Sequence, residues 1–174
     1  MRKLVVYIAS SVDGYIAALN DDLSFLKRVE KEGEDYGYGE FIKTIDTIIL
    51  GRKTFDWVNM NVPGHYGDKR TYVITHESKP AEGNVTYYSG SLPELVKQLK
   101  QEEGKNIFCD GGATIVNQLL QNDFVDELTI SLIPVLLGEG VRLFADGRPE
   151  QALQLESAKS FDTGLVQLYY HRKR

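Results

Sequence analysis

The stretch TIILGRKT, which spans Thr47–Thr54, decides the fold because it joins a buried strand directly to a helix. Its first four residues form an apolar, β-branched run, which is typical of a strand covered on both faces. Gly51 permits a sharp turn and lets a ligand approach the backbone closely. A helix that begins there presents free N–H groups and the positive end of its dipole, which together attract anions. The stretch therefore predicts an anion-binding turn at the end of a strand.

A second strand-to-helix junction has the same character. It is NIFCDGGATI, which spans Asn106–Ile115. One glycine would suffice for the turn, so the pair Gly111 and Gly112 indicates that something packs against the backbone. The alternative for each junction is an ordinary glycine turn. Two such junctions on one small domain suit a ligand with phosphates at more than one place, such as a dinucleotide.

Strand-like and helix-like segments alternate along the chain before a hairpin signal at Phe161–Gly164. Apolar runs predict strands at 4–9, 47–50, 70–75, 85–88, 106–110, 125–133, 153–159 and 165–172. Periodic apolar residues predict helices at 23–32, 36–45, 53–58, 91–103 and 113–121. This order predicts an α/β fold: a mixed, mostly parallel sheet with helices on both faces and a C-terminal antiparallel hairpin.

The composition favours a single cytoplasmic domain, 1–174, that binds small molecules. The 42% hydrophobic content is enough for one core, and the net charge of −5 argues against nucleic acid and anionic membranes as partners. The single cysteine, Cys109, cannot form an intramolecular disulfide, which fits a reducing compartment. No apolar run approaches the length of a membrane span. The histidines are scattered at His65, His76 and His171, so no metal site is predicted.

Polar residues near the first strand are candidates for proton chemistry. Asp13 lies at the end of that strand, where α/β sheets bind ligands, although an ordinary turn explains it equally well. Asp22 and Ser24 stand at the start of the first predicted helix, where a cap is more common than a catalyst. Trp57 fits a core or pocket-wall position better than a catalytic one.

Three segments taken together resemble the dihydrofolate reductase superfamily: IASSVDGYIA at 8–17, ILGRKTF at 49–55 and DGGA at 110–113. A fourth, IPVLLGEG at 133–140, is similar to the C-terminal reductase domain of the bifunctional riboflavin-biosynthesis deaminase/reductases, as is the acidic residue before the two glycines. The resemblance covers nearly the whole chain. It implies a mixed eight-stranded sheet with NADPH as the hydride donor.

The resemblance also implies roles for individual residues. Gly51–Thr54 would bind phosphates on the adenosine side, with Arg52 or Lys53 near the 2′-phosphate. The other residues assigned to the coenzyme are Ala9, Gly14 and Ile16 around the nicotinamide, Thr75 and His76 beside the adenosine, and Gly111, Gly112, Ala113, Thr114 and Ile115 near the pyrophosphate and nicotinamide. Ser24, Phe25 and Trp57 would form the pocket for a flat pterin- or pyrimidine-like substrate.

Two departures from the family pattern leave the substrate open. In one alignment register Asp22 is the first-helix carboxylate that supports protonation in folate enzymes, and in another register Ser24 occupies that position. The stretch Trp57–Lys69 lacks the acidic and arginine-containing pattern by which riboflavin-type enzymes read a ribose phosphate.

The leading hypothesis is therefore an NADPH-dependent reductase, whose nearest named substrate is 5-amino-6-(5-phosphoribosylamino)uracil. Asp22, or a water held by Asp13 or Ser24, would supply the proton. Dihydrofolate is an alternative substrate, and a non-catalytic NADP(H)-binding or interaction protein is the alternative class. The resemblance also raises a homodimer, for which Thr129–Leu137 offers an apolar surface, but a buried core strand explains those residues equally well.

Overall fold

A computed structural model describes residues 1–77 and 79–173. The strands are β1 (Leu4–Ser11), β2 (Tyr15–Ala17), β3 (Ile45–Gly51), β4 (Arg70–Ile74), β5 (Val85–Tyr88), β6 (Asn106–Gly111), β7 (Glu127–Ile133), β8 (Val141–Arg142), β9 (Leu153–Ser160) and β10 (Val166–Arg172). The helices are α1 (Tyr38–Lys43), α2 (Arg52–Asn61), α3 (Leu92–Gln101) and α4 (Ala113–Gln121), with two 3-10 segments at Leu19–Asp21 and Ser24–Val29. No helix in the two described ranges is long and apolar enough to cross a membrane.

Eight strands form one sheet in the order β5-β4-β3-β6-β1-β7-β10-β9. The five pairs from β5 to β7 are parallel, while β10 is antiparallel to both β7 and β9. The predicted mixed, mostly parallel sheet with a C-terminal hairpin is confirmed. β2 and β8 add a small antiparallel ladder, which the sequence patterns did not indicate because strands of three and two residues are too short to show a period.

Helices cover both faces of the sheet, as predicted. α3 and α4 pack on one face, where Leu4 and Val6 of β1 belong to the largest buried apolar cluster. α1 and α2 pack on the other face, where Leu50 and Phe108 are fully buried. Successive residues of each central strand point to opposite helix layers, and for this reason the strands are continuous apolar runs in the sequence.

The segment 23–32 is a correction to the predicted helices. It forms only the 3-10 segment Ser24–Val29 and is extended immediately afterwards. Leu23, Leu26 and Val29 are three residues apart, which is also the repeat of a 3-10 helix, so their spacing fits both structures. Phe25 and Val29 are buried in a cluster that includes the end of β7, and this packing holds the short segment in place.

The stretch Thr129–Leu137 begins inside β7, which lies between β1 and β10 in the sheet. Thr129, Ile130 and Ser131 are buried within the chain itself. The first half of this stretch is therefore a core strand and offers no free apolar surface. The second half of the stretch lies beyond β7, and Leu136 in it is 72% exposed, so a surface for a second copy there stays a prediction.

Candidate functional site

The two glycine junctions meet at one edge of the sheet. β3 and β6 are parallel neighbours, and Leu50 lies opposite Gly111 in their register. A Cβ atom built on Gly51 would lie 3.4 Å from Ile115 Cγ1 and 3.7 Å from the nitrogen of Gly112. A Cβ atom on Gly112 would lie 3.4 Å from the Thr54 hydroxyl oxygen. The structure thus brings the predicted residues of both junctions together, with backbone exposed where side chains would otherwise stand.

The helices that follow these glycines begin without side-chain caps. Gly51 and Gly112 are the residues before α2 and α4, and no described side chain accepts a hydrogen bond from the first turn of either helix. α3 differs, because the Ser91 hydroxyl accepts the N–H of Glu94 at 3.4 Å. Ile115 donates its N–H to the carbonyl of Gly112 at 3.1 Å, so in the first turn of α4 the N–H groups of Ala113 and Thr114 are the ones left for an anionic ligand. The first turn of α2 has no side-chain cap, and both helix dipoles favour an anion.

Three cations lie at the start of α2, and each is within 4.0 Å of a carboxylate. The pairs are Arg52 with Asp56, Lys53 with Asp21, and Lys79 with Glu77. The Arg52 guanidinium carbon lies 5.5 Å from the centre of the Tyr87 ring, and the Lys79 ammonium lies 5.7 Å from the same ring. Arg52 also donates from Nε to both oxygens of Asp56, at 2.7 and 2.8 Å. The Lys53 side chain is 92% exposed. Lys79 and Tyr87 were not predicted, because only the fold brings them to Arg52.

The end of β4 flanks this basic group. Thr75 donates its N–H to the carbonyl of Tyr88, and its hydroxyl accepts the N–H of Glu77 at 3.1 Å. His76 is exposed. Both residues follow β4 directly, as the prediction for the adenosine side requires.

The residues predicted around the nicotinamide fall into two apolar groups. Ile16 packs on the cluster that contains Ile115, while Ala9 packs on the cluster that contains Phe25. Gly14 has a φ of +87° and forms the turn between β1 and β2. These residues flank the carboxyl end of β1, which lies beside β6 in the sheet.

Asp13 is an ionised anchor in this structure. Its carboxylate accepts the Ser11 hydroxyl at 2.5 Å and the N–H groups of Leu137 and Gly138 at 3.1 and 2.7 Å. These hydrogen bonds, the one from Ser11 first, lower the pKa of Asp13 to about 2. A carboxylate with these partners stays ionised near neutral pH. Asp13 therefore fits a structural role, in which it holds the loop after β7, better than the role of a proton donor.

Asp22 forms a local turn with Ser24. Its two oxygens accept the Ser24 N–H at 2.9 Å and the Ser24 hydroxyl at 2.8 Å, and both residues are exposed. The hydroxyl and N–H of Ser24 lower the pKa of Asp22. With Phe25 and Arg28, the pair lines a cavity of about 410 Å³. The structure thus places Asp22 and Ser24, the two candidates for the first-helix position, at the same cavity. Their hydrogen bonds to each other have the geometry of a helix cap.

Asp110, at the carboxyl end of β6, has a raised pKa, whereas the pKa values of Asp13 and Asp22 are lowered. Its Oδ2 accepts the Tyr66 hydroxyl at 2.5 Å, and its Oδ1 accepts no hydrogen bond from any residue the structure describes. Loss of solvation on burial raises the pKa of Asp110 to about 6, although the bond from Tyr66 acts to lower it. Asp110 was not among the predicted site residues. Its sequence signals are its position at a strand end before two glycines and its place in the segment DGGA, which carries part of the family resemblance.

Aromatic side chains surround this carboxyl group. Tyr66 is 7% exposed and packs between α1 and α2. The Tyr38 hydroxyl lies 2.9 Å from Nε2 of His65, and the two rings are parallel with centres 5.4 Å apart. The charge of Asp110 contributes to the raised pKa values of Tyr38 and Tyr66. Trp57, predicted to wall the pocket, is 41% exposed on α2 and lies in none of the buried clusters described, so its role stays a prediction.

A larger cavity, of about 520 Å³, lies at the other end of β7. Its walls include Asp126, Arg148 and Arg172, and none of the predicted site residues. Because the glycine junctions lie at the opposite edge of the sheet, this cavity is not part of the candidate site.

An eight-stranded sheet of this order, with two glycine turns meeting at one edge and an antiparallel hairpin beyond β7, is the dihydrofolate reductase-like fold. Within that fold the family is specific. The model of the RibD C-terminal domain matches residues 2–167, and the chain belongs to this family. The resemblance read from the sequence is confirmed.

The chain is also similar over nearly its whole length to two known proteins. YwjB of Bacillus subtilis (strain 168) is 41% identical over 173 residues, which cover 98% of each chain. A Shewanella sp. PV-4 protein assigned to riboflavin biosynthesis matches with a TM-score of 0.89 and 29% identity over 99% of both chains.

The same fold occurs in a diaminohydroxyphosphoribosylaminopyrimidine deaminase/5-amino-6-(5-phosphoribosylamino)uracil reductase of Thermotoga maritima. It matches with a TM-score of 0.75 and 12% identity, over 99% of this chain and 57% of that one. By family and fold, this chain is therefore like the reductase domains of riboflavin biosynthesis.

Proposed function

We propose that the protein is a reductase that uses NADPH to reduce a small pterin- or pyrimidine-like heterocycle. One observation carries the proposal. Gly51 and Gly112 bring the uncapped N-termini of α2 and α4 together at the carboxyl ends of β3 and β6, and Asp110 lies at the same end of β6. The nicotinamide supplies the hydride when it is bound, and the chain supplies binding, alignment and the proton.

The coenzyme site follows from the exposed backbone and the nearby positive charge. The first-turn N–H groups after Gly51 and Gly112 bind phosphates, as helix N-termini do elsewhere. Arg52, Lys53 and Lys79 supply charge for the 2′-phosphate, which favours NADPH over NADH. The remaining positions keep the roles implied by the resemblance: Ala9, Gly14 and Ile16 at the nicotinamide, Thr75 and His76 at the adenosine, and 113–115 between them.

The proton is best supplied by Asp110. A general acid works most effectively when its pKa lies near the operating pH. The pKa of Asp110 is raised to about 6, whereas the pKa of Asp13 is lowered to about 2 and that of Asp22 is also lowered. Asp22, or a water held by Asp13 or Ser24, remains the predicted alternative. Replacing each acid in turn separates these assignments.

The substrate class is inferred from the hydrogen-bonding groups that the site offers. Pterin and uracil rings carry N–H and amino donors, and Oδ1 of Asp110 is an acceptor with no described partner. Phe25 is buried beside Ala9 and offers an apolar wall for such a ring. 5-amino-6-(5-phosphoribosylamino)uracil comes first, because the Thermotoga maritima protein of the same fold is named for its reduction. Dihydrofolate is the second compound to test.

The test is oxidation of NADPH, followed by its absorbance, across a panel of pterins, dihydrofolate and aminouracils with and without the ribose phosphate. We expect turnover with a member of the panel, abolished in Asp110→Asn and retained in Asp162→Asn, whose carboxylate is exposed and pairs with Lys31. Saturable NADPH binding with no turnover across the panel favours the non-catalytic alternative. Failure to bind NADPH overturns the proposal.

We also propose a homodimer, through the face of β9 and β10 rather than through Thr129–Leu137. β9 is an edge strand, and Leu153 and Leu155 on it are 44% and 52% exposed. Leu155 lies opposite Tyr170, so an apolar row continues onto β10. Light scattering should give twice the 19.6 kDa chain mass, and Leu155→Lys should give the monomer. A monomeric wild-type protein refutes this.

A further inference from the structure

The hydrogen bond between Tyr66 and Asp110 joins parts of the chain that are 44 residues apart. Tyr66 comes from the loop between α2 and β4, and Asp110 from the end of β6. The loop is closed by its own backbone: Gly67 donates to Gly64 at 3.0 Å and Lys69 donates to Tyr66 at 3.2 Å. A closed loop that buries one aromatic side chain delivers the hydroxyl of that side chain to a fixed place.

This hydrogen bond makes the two carboxylate oxygens of Asp110 unequal. Oδ2 is occupied by Tyr66, and Oδ1 accepts no hydrogen bond from the described residues. A side chain whose one oxygen is fixed cannot rotate freely, so the second oxygen points in one direction. Accurate placement of this kind is what hydride and proton transfer require of a group that touches the substrate.

We propose that Tyr66 is a positioning residue for Asp110: it fixes Oδ2 so that Oδ1 faces a ring nitrogen of the heterocycle. Protonated Asp110 gives its proton to that nitrogen, and ionised Asp110 then accepts a hydrogen bond from the ring N–H. The inference rests on the proposed function, in which Asp110 is the group that touches the substrate. Tyr66 itself touches neither substrate nor coenzyme. It acts through the acid, and the loop 62–69 acts through Tyr66.

The same bond sets the protonation of the acid. Burial raises the pKa of Asp110, and the hydroxyl of Tyr66 opposes this by stabilising the ionised form. The other titratable groups around the carboxyl are Tyr38 on α1, His65 on the loop and Cys109 on β6. Burial lowers the pKa of His65 and raises those of Tyr38 and Cys109, so all three favour their neutral forms. Tyr66 is thus the main partner that holds the charge of Asp110.

The experiment is a titration of the Asp110 carboxyl by carbon NMR, in protein labelled at the aspartate side chains. In Tyr66→Phe we expect the midpoint to move to higher pH by about one pH unit, because a hydrogen bond to the ionised form is removed. Tyr88→Phe is the matched control, since its hydroxyl donates to the Ser91 carbonyl at 3.2 Å and not to an acid. The control should titrate as the wild type does.

A binding measurement addresses the orientation of Oδ1. The probe is isocytosine, whose ring N3–H and neighbouring 2-amino group both donate to a carboxylate in the neutral molecule, studied by calorimetry at pH 8 so that the acid is mostly ionised. We expect roughly tenfold weaker binding in Tyr66→Phe, the loss expected for one displaced charge-assisted hydrogen bond. Tyr88→Phe should bind as tightly as the wild type.

A second variant, which should shift the Asp110 titration midpoint in the opposite direction, distinguishes the proposed effect from misfolding. Site-specific 3,5-difluorotyrosine at position 66 keeps the ring and makes the hydroxyl a stronger donor, so it should move the Asp110 midpoint to lower pH. A midpoint unmoved in both variants overturns the proposal. These outcomes need no turnover: if NADPH is not oxidised but the midpoints move as stated, the reductase proposal fails and the positioning of Asp110 stands.

Discussion

Asp13 and Gly138 are joined by a hydrogen bond of 2.7 Å from the glycine N–H to Oδ2 of the carboxylate. Leu137 donates its N–H to the other oxygen at 3.1 Å, and Val12 donates its N–H to the carbonyl of Val135 at 3.0 Å. The segment after β7 is therefore fastened to the turn after β1. That turn contains Gly14, which the coenzyme site is proposed to use.

Asp13→Ala should loosen this connection. We expect a drop of a few degrees in the unfolding midpoint at pH 7 together with weaker NADPH binding, because two backbone N–H groups lose their acceptor. The pKa of Asp13 is lowered to about 2 in the folded protein, so its stabilisation is present above pH 4 and is lost as the pH falls from about 4 to about 2. The difference between variant and wild type should therefore shrink as the pH falls from about 4 and be mostly lost below about pH 2. Urea unfolding at several pH values checks this.

Asp110→Asn should have the opposite effect on stability. The folded protein raises the pKa of this acid from 3.8 to about 6, so it binds the proton more tightly than the unfolded chain does. Stability is therefore lost as the pH rises through that window, and ionised Asp110 destabilises the fold at neutral pH. Removing the charge should stabilise the protein by on the order of 1–3 kcal/mol at pH 8 and change little at pH 3. The amide oxygen still accepts the Tyr66 hydroxyl.

NADPH oxidation should be lost in the same variant. Gain of stability with loss of turnover is the expected pattern when a partly buried, poorly solvated charge is kept for function. Denaturant titrations at pH 3 and pH 8 provide the first measurement, and the panel assay provides the second. An Asp110→Asn protein that is less stable at pH 8 than the wild type contradicts the burial of a destabilising charge.

The sheet and both glycine junctions could be predicted because their signals are local. Continuous apolar runs followed by Gly51 or by Gly111 and Gly112 define strand, turn and helix within about ten residues. α4 was predicted at 113–121 and is Ala113–Gln121 in the structure. The 3-10 segment was predicted as a longer helix, because apolar residues three apart fit either repeat.

The acid of the candidate site could not be predicted in the same way. The environment of Asp110 depends on Tyr66, which is 44 residues away, and on burial that only the packed sheet creates. Asp13 and Asp22 were chosen from their position near the first strand. Their hydrogen-bond partners, the loop after β7 and Ser24, give them low pKa values that sequence position does not reveal.

Arg2→Ala should test stability at the sheet edge far from the glycine junctions. The Arg2 side chain is 2% exposed, forms an ion pair with Asp46 and lies 3.6 Å from Glu102. It also donates to the Thr47 hydroxyl at 2.7 Å and to the Lys105 carbonyl at 2.6 Å. We expect Arg2→Ala to lower the free energy of unfolding by about 2–4 kcal/mol. The loss should be smaller than for a fully buried ion pair, because the side chains of Asp46 and Glu102 are 37% and 30% exposed and stay partly solvated without Arg2.

Lys31→Ala is the control for this loss, because Lys31 forms an exposed pair with Asp162 that should contribute little. NADPH affinity per folded molecule should be unchanged in Arg2→Ala, since the network lies at the amino ends of β1 and β3. A large loss of affinity at temperatures where the variant is folded contradicts the placement of the coenzyme at the opposite edge.

The choice between NADPH and NADH should depend on the cations around Tyr87. Arg52→Ala and Lys79→Ala each remove a positive charge that lies within 6 Å of that ring, as the separations of 5.5 and 5.7 Å show. We expect each to weaken NADPH binding roughly tenfold and to leave NADH binding nearly unchanged, because only NADPH carries the 2′-phosphate. Lys53→Ala should have a smaller effect, since its side chain is 92% exposed.

Lys43→Ala is the matched control, because Lys43 is an exposed cation on α1 that pairs with Glu40. The affinities should be measured at two salt concentrations, and the effect of Arg52 and Lys79 should shrink at the higher one, as expected for charge pairs at a protein surface. Arg52 already shares its Nε with Asp56, so Asp56→Asn should free the guanidinium and strengthen NADPH binding. If the wild type binds NADPH and NADH equally, no 2′-phosphate is read and the assignment of these three cations is wrong, even if α2 and α4 still bind the pyrophosphate.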